Sequence, residues 1–307
     1  MFYAIHSINK VLDGKRPKSI RIFKMKTIGI IVNTSKPRAA EVVAEASDWL
    51  RSKGIKPLLP DEKADALSIP CDGYTQEQVV KQSDALIVLG GDGTLLGVAH
   101  VPSVEEVPIL GVNIGHLGYL TEVALSELYH ALTDILDGNY EIKERMMLKV
   151  QLYYHGKMNK QHFALNDAVI KHPSRMINIE VYIDDQYFVT YNADGLIIAT
   201  PTGSTAYSLA VGGPIVEPNM EAIILSPVAS HALTIRPFVA HPDSQISVST
   251  TEHSGVILAV DGDAVFLEPE HVVKVSKAEK TIKLFKSKSR SYYEVLRTKL
   301  KLGERGG

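Results

Sequence analysis

Ala85-Leu86-Ile87-Val88-Leu89 runs without a break into Gly90-Gly91-Asp92-Gly93-Thr94. Five successive apolar residues predict a strand covered on both faces, because a half-solvated strand would alternate apolar with polar residues. Upstream, Thr27-Ile28-Gly29-Ile30-Ile31-Val32 ends the same way at Asn33. Downstream, Pro108-Ile109-Leu110-Gly111-Val112-Asn113 leads into Gly115-His116-Leu117-Gly118. Between these runs Val42, Val43, Ala46, Trp49 and Leu50 recur at helical spacing, and Gly54 stands where that helix would stop. Leu128, Ala131, Leu132, Ile135 and Leu136 mark a further helix, closed by Gly138. Buried strands alternating with helices predict an α/β region with a Rossmann-like parallel sheet. Ligands bind such sheets outside the carboxyl ends of the strands, where both glycine turns fall.

After about Arg145 the character changes. Segments such as Lys149 to Tyr154 and Ile179 to Ile183 alternate, and His155-Gly156 and Asp184-Asp185 are turn signals, so this half reads as mainly antiparallel β. Asp261-Gly262, set between Val256–Val260 and Ala264–Leu267, predicts a two-residue hairpin.

Composition narrows the function. Of 307 residues, 45% are hydrophobic and 22% charged, enough for a substantial core, and a net charge of -2 is too small for a general nucleic-acid or membrane-surface binder. A small ligand is expected. Cys71 is the only cysteine, which excludes an intrachain disulfide and a cysteine-held metal cluster and fits a cytoplasmic setting. No apolar run approaches the roughly 20 residues that span a bilayer. The first 24 residues carry six Lys or Arg against the single acid Asp13, with Pro17 among them, and read as a flexible leader.

The glycine turn at Gly90–Thr94 follows a strand, which brings backbone N–H groups and a helix amino terminus toward phosphate oxygens. It is neither a dinucleotide fingerprint nor a P-loop, since Gly97 follows Gly93 and no Gly-Lys-Ser/Thr is present. Asp92 is a carboxylate where a passive phosphate cradle would avoid negative charge. Either it accepts a proton from an attacking hydroxyl or it helps hold a Mg²⁺ that bridges nucleotide phosphates; an ordinary turn is the plain alternative.

Two further constellations carry polar chemistry. Asn166-Asp167 follows His162–Leu165 and offers groups for an adenine edge and ribose hydroxyls, or else a turn. Asp194-Gly195 leads through Leu196–Ala199 into Thr200-Pro201-Thr202-Gly203-Ser204-Thr205-Ala206-Tyr207-Ser208-Leu209-Ala210, the densest patch of small hydroxyl residues in the chain. This is either a phosphate site with Tyr207 free to pack on a ring, or a capped helix start whose tyrosine is core. His100, His116, His155, His162 and His172 show no metal-ligand spacing. The basic carboxyl-terminal run from Lys283 to Lys301 reads as a solvated face rather than a nucleic-acid patch.

Taken together and in order, Gly90-Gly91-Asp92-Gly93-Thr94, Asn166-Asp167, Asp194-Gly195 with Thr200–Ser208, and Gly212-Gly213-Pro214 resemble the bacterial NAD kinase family, from about Met25 to about Leu302. The first motif also resembles turns of diacylglycerol, sphingosine and 6-phosphofructo-kinases, whereas the later ones are specific to NAD kinases. The resemblance implies an α/β domain, a β-rich domain and a cleft site in which ATP, or polyphosphate, with Mg²⁺ or another divalent cation phosphorylates the adenosine 2′-hydroxyl of NAD. It implies Asp92 as proton acceptor, with Gly93, Asn166, Asp167, Arg175, Asp194, Thr205, Ala206, Tyr207, Ser208, Leu209, Ala210 and Asp263 around the dinucleotide. Gly90, Gly91, Gly93 and Thr94 would meet phosphate, and the protein would be a homodimer or homotetramer. Asn192 stands where many relatives place a basic residue, and Asp263 where an amide is common. The expected division is a leader at 1–25, an α/β domain at 26–145, a β-rich NAD-binding domain at 146–280, and a segment at 281–307 returning to the α/β domain.

Overall fold

A computed structural model of the chain describes residues 25–70, 72–115, 118–251, 255–286 and 291–301. The leader through residue 24, Cys71, His116 and Leu117 lie outside the described residues. Met25, the last residue of the expected leader, is described and packs on the core beneath the first helix.

The first half alternates as its apolar runs require: β1 (Thr27–Val32), α1 (Ala39–Ser52), β2 (Lys56–Leu58), α2 (Asp61–Leu67), α3 (Gln76–Gln82), β3 (Ala85–Gly90), α4 (Asp92–Ala99), β4 (Ile109–Asn113), β5 (Val123–Ala124) and α5 (Leu128–Leu136). Strands β2-β1-β3-β4-β5 pair in parallel. All six residues of β3 are buried, because both faces are covered. Ile87 and Leu89 pack with α1 and α5 on one face, Leu86 and Val88 with α3 and α4 on the other. That two-sided burial is why the sequence shows no alternation here.

The second half comprises β6 (Ile142–Tyr154), β7 (Lys157–Ala164), β8 (Asp167–Lys171), β9 (Ile177–Ile183), β10 (Gln186–Ala193), β11 (Gly195–Ala199), the single helical turn α6 (Tyr207–Ala210), β12 (Ile223–Val228), β13 (Phe238–Ala240), β14 (Ile246–Thr250), β15 (Ile257–Val260), β16 (Asp263–Phe266), β17 (His271–Phe285) and α7 (Tyr292–Leu300). A six-stranded antiparallel sheet, β13-β12-β11-β8-β15-β16, stacks on the antiparallel part of the large sheet through Leu196, Ile198, Val150, Val181, Ile246 and Val275. Its outer face, with Ile197 and Ala199, is covered by Val211 and Val216 from the chain after β11.

The two halves share one sheet. The 15-residue strand β17 pairs antiparallel with β6 and β14 and, at Leu284, in parallel with Ile109 of β4. The resulting 11-stranded sheet therefore runs from the parallel strands into the sandwich.

Candidate active site

Gly90 closes β3 opposite Asn113 of β4, and Gly91 stands before Asp92, the first residue of α4. A helix amino terminus favours negative charge, so Asp92 stands where a carboxylate or a phosphate is stabilised. Its oxygens are already engaged. Oδ1 accepts from Leu120 N at 3.1 Å, Thr121 N at 3.0 Å and Thr121 Oγ1 at 2.9 Å, while Oδ2, among the described residues, accepts from Tyr119 N at 2.8 Å. Buried Asn113 donates to Thr121 Oγ1 at 2.9 Å and joins this network. The loop comes so close that a Cβ on Gly118 would lie 1.9 Å from Asp92 Oδ1, so only glycine fits there. Burial, followed by the charge of Asp92, raises the Tyr119 phenol above its ordinary range.

A cavity of about 450 Å³ opens beside this turn, between the segment after β1 and the first turns of α4. Asn33, Thr34, Ser35, Lys63, Gly93 and Thr94 line it. Backbone N–H groups, small hydroxyls and one lysine are suitable partners for a phosphate chain, and the volume is that of a small-molecule site.

The second cluster forms where β8 begins and β11 ends, since Asp167 pairs with Ala199. Thr200 fixes the turn before β8 by donating Oγ1 to Leu165 O at 2.6 Å and its N–H to Asn166 O at 2.9 Å. Gly203 lies against Asn166, where a Cβ would come within 2.1 Å of its carbonyl. Ser204 bridges Pro201 O and Val216 N, Gly213 N donates to Ser208 O at 2.8 Å, and Ser208 meets Ser226 at 2.9 Å. The hydroxyl-rich stretch and Gly212-Gly213-Pro214 thus form one packed unit. Thr205 and Ala206 are half-buried, Leu209 is half-buried and Ala210 exposed. Tyr207 is 39% exposed, which removes the reading of a core tyrosine and leaves its ring free for a partner. Asp167 is buried, and burial followed by the charge of Asp261 pushes its carboxyl up to about 7.

The predicted residues do not all converge. Asp194 precedes β11 and Arg175 lies in the exposed segment after β8, where His172 N donates to Asp194 O at 3.2 Å. They sit at the opposite end of β11 from Asn166, which lies beside Thr200, so about 20 Å separates them at the usual rise per residue. Asp263 is exposed at the start of β16. Sequence reading passed over Asn113, Thr121, Asp261 and His100. Asn113 read as a strand end, Asp261 as a hairpin residue and His100 as a scattered histidine, because each acts through a partner distant in the chain.

Residues 28–140 match the model of the ATP-NAD kinase N-terminal domain, and residues 165–287 that of the ATP-NAD kinase C-terminal domain. The chain is 42% identical over 288 residues to the NAD kinase of Geotalea daltonii, covering 92% of this chain and 100% of that protein. It is 42% identical over 283 residues to the NAD kinase of Moorella thermoacetica, covering 91% and 90%. Its fold is that of the yeast NADH kinase complexed with NADH, at a TM-score of 0.85 and 24% identity over 92% of this chain and 90% of that one. An NAD kinase from Archaeoglobus fulgidus in complex with ATP superposes at a TM-score of 0.70 and 23% identity, covering 90% and 98%.

Proposed function

The chain belongs to the NAD kinase family, an enzyme family that phosphorylates NAD with ATP, and on that footing we propose how its residues divide the work. ATP occupies the cavity beside the start of α4, which Gly93 and Thr94 line, and its phosphates meet the turn Gly90, Gly91, Gly93 and Thr94. NAD lies across Asn166-Asp167 and the Thr205–Ala210 segment, with Tyr207 against a ring, and presents the 2′-hydroxyl of its adenosine ribose to the γ-phosphoryl group. Arg175 and Asp194 hold the portion of the dinucleotide farthest from that hydroxyl, and Asp263 lies at the rim. The observation that carries this reading is Asp92. It is a carboxylate at a helix amino terminus, beside an open cavity, with Oδ2 accepting, among the described residues, from Tyr119 N alone.

Asp92 Oδ2 is the oxygen that takes the proton of the attacking hydroxyl, while the protein chiefly positions both partners. Among the described residues no three His, Cys, Asp or Glu side chains form a metal cage. Mg²⁺ would arrive on the triphosphate, where it would offset phosphate charge, with Asp92 as the nearby carboxylate. The lone Cys71 supports the cytoplasm as the working compartment. A homo-oligomer is supported by the exposed aromatic side chains of Phe188 and Phe238 on neighbouring edge strands.

Purified full chain with ATP, Mg²⁺ and NAD should form NADP and ADP. Parallel reactions with polyphosphate or NADH define donor and acceptor range. No phosphorylated dinucleotide with any donor would overturn the assignment.

A further inference from the structure

Asp261 opens the turn between β15 and β16 at φ 47°, followed by Gly262 at φ 99°. Aspartate is ordinary there, as is asparagine, because both tolerate the left-handed backbone of a two-residue hairpin. Its side chain does something the turn does not require. It is 0% exposed and reaches the turn before β8, where Oδ2 accepts from Leu165 N at 2.7 Å and Oδ1 accepts from Asn166 N at 2.8 Å and Asp167 N at 3.0 Å. The Asp261 N–H returns a bond to Asp167 O at 3.0 Å. One carboxylate thus binds three successive N–H groups of the turn that carries Asn166 and Asp167.

A fourth partner comes from the other half of the molecule. His100 Nε2 lies 3.1 Å from Asp261 Oδ2, and toward an ionised carboxylate the ring nitrogen is the donor. His100 closes α4, whose first residue is Asp92. The eight residues of that helix make a rod about 12 Å long. Leu165 packs in the same core cluster as Leu95, Val98 and Ala99 of α4, so apolar contact and hydrogen bonding join the two parts side by side.

We infer that Asp261 and His100 are positioning residues. Asp261 shapes the Asn166-Asp167 turn for the dinucleotide, and His100 fixes that turn against α4 so that the acceptor hydroxyl meets Asp92. This rests on the assignment of Asn166, Asp167 and Asp92 made above. The turn chemistry and the positioning role separate cleanly at residue 261. Asn satisfies the hairpin, but it offers one oxygen where two accept, and its NH₂ group opposes backbone donors.

The test uses the full chain with Asp261→Asn, His100→Ala and His100→Gln, measuring NAD dissociation without ATP, both KM values, kcat and Tm. Asp261→Asn should weaken NAD binding about tenfold or more, with KM for ATP within about twofold, since the three N–H groups belong to the acceptor side alone. His100→Ala should lower kcat about tenfold with NAD affinity within about threefold, and His100→Gln, whose amide N–H can donate to the same oxygen, should recover most of that loss. A lowered Tm with unchanged NAD affinity and kcat would make the pair a structural staple and overturn the inference, as would His100→Gln performing no better than His100→Ala. Should Asp261→Asn not fold, the two His100 variants decide the matter. An inactive wild-type chain would instead refute the underlying site assignment, so the two failures are distinguishable.

Discussion

Asp92 stood out in the sequence because a passive phosphate cradle would avoid a carboxylate among its glycines, whereas its partners did not. Tyr119, Leu120 and Thr121 are identified only by the folded loop. Those partners shape the expected result of Asp92→Asn. The variant should lose about 10²- to 10⁴-fold in kcat, the range of a general base. Because its amide NH₂ also opposes the loop donors, Thr121→Val is the necessary comparison, removing one donor and leaving the carboxylate in place. Thr121→Val should keep kcat within about tenfold of wild type; an equal collapse in both variants would mean that Asp92 matters only as the anchor of the loop. For Tyr207→Ala, loss of a ring that is 39% exposed should cost on the order of 1 kcal/mol of NAD binding and little stability. A large fall in Tm with an unchanged KM for NAD would refute that role. Asp167 supplies a pH signature. Its carboxyl, ordinarily near 3.8, sits at about 7 because of burial and then the charge of Asp261. The folded protein therefore binds this proton more tightly than the unfolded chain. The associated stability is complete below the unfolded value, declines as pH rises between the two values, and is lost above about 7. Asp167→Asn cannot ionise, so its stability relative to wild type should improve by on the order of 2 kcal/mol between about pH 5 and pH 8. Urea denaturation of both proteins at several pH values checks this, and a constant difference would show that Asp167 does not titrate in that window.

At the scale of elements, β1, β3 and β4 could be read because strands buried on both faces have no alternative to continuous apolar sequence. The limits of β6 and β17 could not. The alternation of Lys149 to Tyr154 marks only the later part of a 13-residue strand, since Arg145 to Leu148 is buried on both faces and shows no period. The hydroxyl-rich segment proved to be a 3₁₀ turn and the single helical turn α6, held by Thr200, Ser204 and Gly213 rather than by helix propensity. The loop after β4 behaves as an element of the site in its own right. Gly118→Ala would place a methyl group on Asp92 Oδ1, so the loop must move and give up donors to that carboxylate. We expect kcat to fall at least about tenfold while the fold survives, because the strain falls on a loop and leaves the pairing of the strands intact. Unchanged kinetics in Gly118→Ala would show that the close approach of loop and carboxylate is not needed for turnover.

At the scale of the molecule, two halves of different character were visible in the sequence, since buried parallel strands and half-exposed antiparallel strands leave different patterns. The sequence reading brought residues 281–307 back to the α/β domain as a separate segment; in the structure the one strand β17 runs from the sandwich to Phe285 and pairs at Leu284 with Ile109, a continuity that its ordinary alternation does not mark. The outer ends of the assembly raise a further question that the core does not answer. Strand β10 ends the large sheet and β13 ends the smaller one, and Phe188 and Phe238 on these edges meet with ring centroids 4.7 Å apart while each remains 38% exposed. Val239 and Tyr187 on the same two strands are 47% and 61% exposed. Two neighbouring sheet edges that carry exposed aromatic side chains are surfaces that favour association. If a second copy covers this face, Phe238→Asp combined with Phe188→Asp should shift the protein from oligomer to monomer in sedimentation, because two carboxylates would be desolvated at the contact without partners. The folded monomer should keep its circular dichroism spectrum, since neither ring belongs to the buried core. A wild-type chain that sediments as a monomer at micromolar concentration, or a double variant that remains oligomeric, would remove this face as the subunit contact.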